Sequence, residues 1–313
     1  MTDPRLTAAP AAETAAFNAW LEATLDALPL THEVPPEVTR QARAEGKGVF
    51  PPGGPFDSAR WLETPTPMGR VRVTLPEGPP AGVLLHVHGG GWTLGAPEQY
   101  DATAAALARG SGWAVVSAPY RLAPENPWPA CVEDVEAAAL WLIGAARAQF
   151  GSDRLAIGGD SAGAHLAAAT LLRLRDRGLG GRFAAALLHY GVFDLRLTPS
   201  ARLWGGRRLI LTTATIDWFA DNLTAGDRAL REAPAVSPLL ADLSGFPPSL
   251  LQVGTADPLL DDTLFFAARL AAAGVAHRLG VYPGGVHAFD RFDLAIAREA
   301  QAEATGFLRA VAA

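Results

Sequence analysis

Ser161 stands where the chain removes bulk on both sides. The run "RLAIGGDSAGAHLAAATLLRLR" passes from an apolar segment ending near Gly158 into an alanine-rich stretch of helical character, and the serine falls at the junction. Gly159, Asp160, Ser161, Ala162 and Gly163 form a G-x-S-x-G pattern, which fits a tight strand-to-helix corner that lifts a hydroxyl above a sheet. A Cβ two residues to either side would clash in such a turn, and the serine itself must take a strained backbone conformation. The N–H groups that open the helix then favour negative charge developing beside the Oγ. A serine so placed is suited to nucleophilic attack on an acyl carbon.

A second signal is "HVHGGGWTLG" at 86–95. Three glycines in a row after an apolar run weaken a fold, because each loses more backbone entropy than another residue would. A backbone that must approach a ligand and aim its N–H groups inward needs them. Gly89, Gly90 and Gly91 are the expected donors to an oxyanion, with the Ala162 N–H as their companion. One such donor is typically worth roughly 3 kcal/mol in the transition state.

A serine hydroxyl needs a base, and the base needs an acid to orient it. Of the seven histidines, His32, His86 and His88 precede the serine, and His165 lies on the helix that follows it, where it is expected to pack or cap. His189 ends the next apolar run, and His277 begins the last one. His287, in "YPGGVHAFDRF", lies beyond the end of a late strand and satisfies the chain order serine, acid, histidine. The acid is sought in "LLQVGTADPLLDD". Asp257 lies just past a strand and is stiffened by Pro258, so it is favoured, with Asp261 as its rival. Asp261 and Asp262 are expected to cap the next helix and meet its dipole. The acid would hold one tautomer of His287 and stabilise its imidazolium. Trp92, Trp204 and Trp218 are candidates for a substrate pocket, the last two equally suited to packing. Arg121, in "YRLAPE", is expected to pair with Glu125 or a neighbouring acid and brace the loops. Asp160 sets a charge beside the serine, and its partner is not legible.

These residues need a frame. The chain has 313 residues, 49% of them hydrophobic, enough for one large core. Its formal net charge of −6, without a basic block, argues against nucleic acid or an anionic membrane as partner. The single cysteine, Cys131, excludes an internal disulfide and fits a reducing compartment. With no export signal recognised in the first residues, a cytoplasmic protein is expected. Phe17, Trp20, Leu21, Leu25 and Leu28 predict an opening helix, and a second is expected from Pro36. The Gly- and Pro-rich stretch 46–67 reads as loop. Residues 70–75, "RVRVTL", alternate as an edge strand with one wet face would. Apolar runs at 82–87, 113–118, 154–158, 184–189, 249–254 and 277–282 read as central parallel strands. Helices expected at 98–109, 130–148, 162–176 and 262–273 complete a doubly wound α/β sheet. An inserted helical piece around 195–235 and the N-terminal segment of about residues 1–50 are expected to cap the carboxyl edge of this single domain.

Together, "HGGGW" at 88–92, "YRLAPENPWPA" at 120–130, "GDSAG" at 159–163, "SPLLADLSGFPP" at 237–248, "DPLLDD" at 257–262 and "VYPGGVHAF" at 281–289 resemble the bacterial hormone-sensitive-lipase-like family of α/β-hydrolase carboxylesterases. The resemblance implies an α/β-hydrolase fold and hydrolysis of carboxylic esters, often short-chain ones, and short- to medium-chain esters cleaved through an acyl-enzyme are expected. No metal or organic cofactor is expected, since the chain shows no metal-ligand cluster or phosphate loop in a fitting context. It maps nucleophile, acid and base onto Ser161, Asp257 and His287, and a homodimer through the last strand and helix follows from it alone. Hydrolysis of an amide, lactone or carbamate on the same residues is the alternative. A non-catalytic receptor on this fold is disfavoured by the presence of His287. Asn126, Ala288 and the strand end "HYGVFDL" depart from the family pattern and bear on pocket shape.

Overall fold

Runs that are apolar on both faces become the central strands of a sheet whose order is β1-β2-β4-β3-β5-β6-β7-β8. The computed structural model describes residues 3–312. The strands are β1 Ala59–Glu63, β2 Arg70–Thr74, β3 Val83–Val87, β4 Ala114–Ala118, β5 Leu155–Asp160, β6 Phe183–His189, β7 Ser249–Ala256 and β8 His277–Val286. From β4 to β8 along the sheet, every neighbouring pair is parallel, and β1 and β2 add an antiparallel edge. The helices are α1 Ala12–Asp26, α2 Pro36–Ala44, α3 Asp101–Ser111, α4 Ala130–Phe150, α5 Ala162–Asp176, α6 Pro199–Leu203, α7 Thr213–Thr224, α8 Leu260–Ala272 and α9 Ala295–Ala312.

The pleat sends alternate strand residues to opposite layers. Leu85, Val116 and Ile157 meet α4 and α5 in one core, whereas Leu84, Val115 and Ala156 meet α3 and α9 in another. Chain order reverses around β3, which lies between β4 and β5, so the loops after β3 and β5 open side by side at the carboxyl edge. This is where open α/β sheets form ligand crevices. No helix among the described residues is long and apolar enough to cross a membrane. Burial pushes the Cys131 thiol up to about 12, so it stays an unreactive apolar filler.

Two expectations at the sheet edge fail. The stretch read as loop contains β1, so β2 is an interior strand rather than the edge, and Arg70 is its sole exposed residue. Arg72 is buried because Asp101, opening α3, receives its guanidinium at 2.6 and 2.5 Å. Alternation with arginine therefore marks a buried ion pair here, not a wet face. A five-residue strand amid prolines carries too little periodicity to be legible alone.

Asp262 also departs from its expected capping role. Both acids sit in the first turn of α8, where the dipole favours them, but the helix is preceded by Leu259 without a side-chain cap. The buried Asp262 carboxyl accepts the N–H groups of Phe193 and Asp194 at 2.7 and 2.9 Å and the Thr198 hydroxyl at 2.6 Å, fixing the chain beyond β6. Asp261 likewise accepts the Ser200 N–H at 2.8 Å. Burial raises the Asp262 pKa from 3.8 to about 7 against the opposing hydrogen bonds. The folded state therefore holds this proton over a range where the unfolded chain has lost it, and stability falls as pH rises from about 4 to about 7. Asp262→Asn keeps an acceptor oxygen without titrating, so the midpoint of thermal unfolding should lose much of that slope. Asp262→Ala leaves three donors unmet and should cost about 2–4 kcal/mol by denaturant titration at pH 7.

Candidate active site

The elbow forms because β5 runs into α5 with one residue between them. That residue, Ser161, adopts φ 58° and ψ −119°, outside both regular regions. Its N–H is tied to the His189 carbonyl at 2.9 Å, and its own carbonyl accepts the His165 N–H at 3.1 Å. A Cβ on Gly159 or Gly163 would come closer than 3.0 Å to the Val87 carbonyl oxygen at the end of β3. The two glycines therefore permit the approach of β3, β5 and α5 that the serine's position requires.

The first residue after β7 is Asp257, buried to 1% exposure, and the first after β8 is His287, at 4%. Their side chains meet with Asp257 Oδ2 2.9 Å from His287 Nδ1, and His287 Nε2 lies 2.9 Å from Ser161 Oγ. Asp257 Oδ1 accepts the Leu259 N–H at 2.8 Å, which locks the carboxylate plane. With Nδ1–H donated to Asp257, Nε2 is free to accept from the serine. Asp261, committed to Ser200, takes no part. Ala288, next in the chain, sits at φ 59°, a left-handed conformation in which glycine would be unstrained.

The glycine loop is held by buried rings. Tyr100 Oη accepts the Gly89 N–H at 3.1 Å, and Tyr120 donates its hydroxyl to the His88 carbonyl at 3.0 Å. His88 stacks on Tyr120 with centroids 4.2 Å apart, and burial lowers its pKa to about 4, so it stays neutral. Trp92 donates to His165 Nδ1 at 3.0 Å, while His165 Nε2 donates to the Val236 carbonyl at 2.8 Å. This neutral histidine pins the glycine loop to the elbow helix, the packing role expected for it. Gly90 and Gly91 take positive φ values of 122° and 60°. Among the described residues the N–H groups of Gly90, Gly91 and Ala162 meet no acceptor, whereas that of Gly89 is occupied by Tyr100.

Asp160 finds its partners in three dimensions. His86 Nε2 lies 2.7 Å from its carboxylate, and the Tyr190 hydroxyl lies 3.3 Å away. Burial pushes Asp160 up, but the His86 hydrogen bond and charge outweigh it, leaving the carboxyl below its ordinary range. Asp290 moves the other way, raised by burial and by the Asp160 charge. Tyr190 donates to Asp290 at 2.6 Å and sets its ring edge-on to His287 at 5.0 Å. Asp160, His189 and Asp290 come within 4.8 Å of one another, the one grouping with metal-ligand spacing among the described residues.

Ser161 and His287 open into a small pocket of about 60 Å3, lined also by Gly90, Gly91, Trp92, Tyr190 and Phe219. Trp92 thus lies where expected. Trp204 and Trp218 do not line it. Trp204 donates its indole N–H to the carbonyls of Arg207 and Leu211, and Trp218 packs beside Phe219. Arg121 is held by Asp134 at 2.8 and 2.9 Å rather than by Glu125, which is taken by Arg40 from α2 at 2.7 Å. Sequence reasoning missed Tyr100, Tyr190, Phe219 and Asp290. Tyr190 lies in the atypical "HYGVFDL" stretch, the one cue that could have found it.

A match to the α/β-hydrolase-fold family spans residues 84–291, so the chain belongs to that family. Within it the chain is a hormone-sensitive-lipase-like member, as its relatives show. It is 36% identical over 280 residues to the carboxylesterase NlhH of Mycobacterium tuberculosis, covering 88% of this chain and 83% of that protein. Among solved structures, a hyperthermophilic esterase of the archaeon Pyrobaculum calidifontis matches with a TM-score of 0.86 at 29% identity, over 97% of this chain and 99% of that one. A hormone-sensitive lipase from a metagenome library matches with a TM-score of 0.85 at 29% identity, over 97% of this chain and 100% of that one.

Gly163→Ala would drive a methyl group into the carbonyls of Val87 and His88 at the base of the elbow. Backbone cannot yield as a side-chain tip can, so the variant should lose about 3 kcal/mol or more, read by chemical denaturation.

Proposed function

We propose that Ser161, His287 and Asp257 are the nucleophile, base and orienting acid with which this carboxylic ester hydrolase works. The observation that carries this reading is the continuous relay of two 2.9 Å contacts from Asp257 through His287 to Ser161. Ser161 Oγ attacks the ester carbonyl carbon as His287 Nε2 takes its proton. Negative charge moves to the carbonyl oxygen, where the unengaged N–H groups of Gly90, Gly91 and Ala162 receive it. Gly89 is left out of this set, since its N–H is held by Tyr100. Collapse of the intermediate breaks the bond to the alcohol, which leaves with the proton from His287. Water, deprotonated by His287, then releases the acid and restores Ser161.

The segments 1–50 and 195–235 act as a cap in this reading. Support comes from Ile210, Leu211, Ile216 and Phe219, which wall the pocket over Ser161. Arg40 supports it too, donating to the Thr93 and Ala123 carbonyls at 2.8 Å each and so fastening α2 over the glycine loop. Such a narrow pocket favours short acyl chains. A cytoplasmic setting and a homodimer belong to the same proposal, the second on family resemblance alone.

The rate on p-nitrophenyl esters of increasing acyl length tests both mechanism and chain preference. Activity should peak at short chains and vanish in Ser161→Ala; full turnover by that variant overturns the assignment. Asp257→Asn should lower kcat by roughly 10³–10⁴-fold, through loss of the tautomer that accepts from serine. Asp261→Asn should lie near the parent, and the reverse pattern would move the acid to Asp261.

A further inference from the structure

Beyond the serine pocket lies a larger cavity of about 290 Å3 between α2, the loop through Phe50 and the 208–215 segment. Arg43, Phe50, Ile210 and Arg291 wall both spaces, so these four residues form the shared boundary that any group passing from one to the other must cross. Much of the cavity wall is apolar, with Leu25, Val34 and Val38 among its residues. Its charges have one sign only. Arg43, Lys47, Arg208 and Arg291 line it, and no aspartate or glutamate does, although the whole chain carries 32 acids against 26 lysines and arginines.

Two of these cations are satisfied elsewhere. Lys47 pairs with Glu45 at 2.6 Å, and Arg208 donates to the Leu28 carbonyl at 2.7 Å and approaches Asp26. The two at the passage are not. Arg291 donates to the Gln99 carbonyl at 3.1 Å and lies 4.6 Å over the rings of Phe50 and Tyr100, but has no ion pair among the described residues. Asp160 and Asp290 act on it through space without reaching ion-pair distance. Arg43 has neither an ion pair nor a hydrogen bond among the described residues, and its guanidinium lies 5.6 Å over Phe50. Burial, with the like charge of Arg291, works against its ionised form. Arg43 is only part-buried, so its five donors open into the cavity without a protein acceptor among the described residues, and an anion entering there would meet them directly. Two guanidinium groups flanking one passage match a carboxylate or similar oxyanion.

We infer that the preferred substrate is an ester carrying an anionic group, a carboxylate above all, on the arm that leaves the serine pocket, and that Arg43 and Arg291 bind that group. The inference rests on Ser161 being the nucleophile, because the two arginines matter to specificity only if the scissile carbonyl sits in the pocket that they share with Ser161. It makes the cationic passage the determinant of specificity and the apolar wall a guide for the methylenes between.

The test compares matched esters with and without the charge. Mono-p-nitrophenyl glutarate against p-nitrophenyl pentanoate places the anion on the acyl arm, and the butyrate ester of a terminal hydroxy acid against pentyl butyrate places it on the alcohol arm. At low salt, kcat/KM should favour the charged member of one pair by at least about tenfold, and the preference should shrink as salt rises. Arg43→Met should reduce that ratio by about tenfold or more, the scale of a hydrogen bond to a charged group, with Arg43→Lys restoring part of it. Glutarate binding to the Ser161→Ala protein, measured by calorimetry, reads the anion site without turnover. Neutral esters preferred in both pairs, or a ratio indifferent to Arg43→Met, overturns the inference. Turnover retained by Ser161→Ala would instead overturn the nucleophile assignment, with glutarate binding still reporting on the arginines.

Discussion

How closely the carbonyl of Val87 approaches Gly159 and Gly163 governs the rest of the structure. Neither position has room for a Cβ, so β3, β5 and α5 converge to a separation that only glycine allows. That convergence sets Ser161 at φ 58°, lifts its hydroxyl off the sheet and leaves the first N–H of α5 without an acceptor among the described residues. It also brings the glycine loop after β3 beside the elbow, because β3 and β5 are hydrogen-bonded neighbours. One steric constraint therefore sets both the proposed nucleophile and the N–H groups proposed to receive the oxyanion.

A strained corner persists only when its surroundings over-determine it. Here they do so with buried polar groups rather than with apolar bulk. His86 holds Asp160 from below, His165 ties Trp92 to Val236, and Tyr100 and Tyr120 hold the N–H and the C=O of the one peptide bond that joins His88 to Gly89. Each group is hydrogen-bonded, as burial demands, and His88 and His165 stay neutral with pKa values lowered to about 4. The histidines outside the relay are thus structural polar links. Beneath them, Asp160 and Asp290 divide their ionisation, one lowered by His86 and the other raised by burial and by its neighbour. Tyr190 carries this arrangement to the edge of the His287 ring.

Legibility followed local information. Five of the six apolar runs emerged as interior strands because burial on both faces leaves an unbroken hydrophobic signature, whereas the sixth is the edge strand β8, where Arg278 is exposed. Ser161, Asp257 and His287 were legible because each sits at the carboxyl end of such a run, β5, β7 and β8, where chain order alone narrows the choice. Arg72 and Asp101 were not, since an ion pair across 29 positions leaves no periodic trace and made an interior strand look like an edge. Gly89 shows a finer limit. Composition marks the glycine run as a unit, but the direction of each N–H depends on a tyrosine hydroxyl from another segment. Trp204 and Trp218 were equally suited to a pocket or to packing, and the structure packs both, part-buried, against core clusters.

By itself the sequence determined the α/β alternation, the strand-to-helix corner at Ser161, the glycine run at 89–91 and the chain order of serine, acid and histidine. These are properties of neighbours, and short-range sterics and periodicity are enough to write them. Only the tertiary structure decided which aspartate meets His287, which glycine N–H groups stay open, what Asp160 pairs with and which charges gather around the passage beside Ser161. Those are relations between segments up to hundreds of residues apart, created when the sheet order brings the ends of β3, β5, β7 and β8 to one edge. Arg43 and Arg291 illustrate the difference: two ordinary arginines in the chain, they become an unpaired cationic passage only where α2 folds over the carboxyl edge.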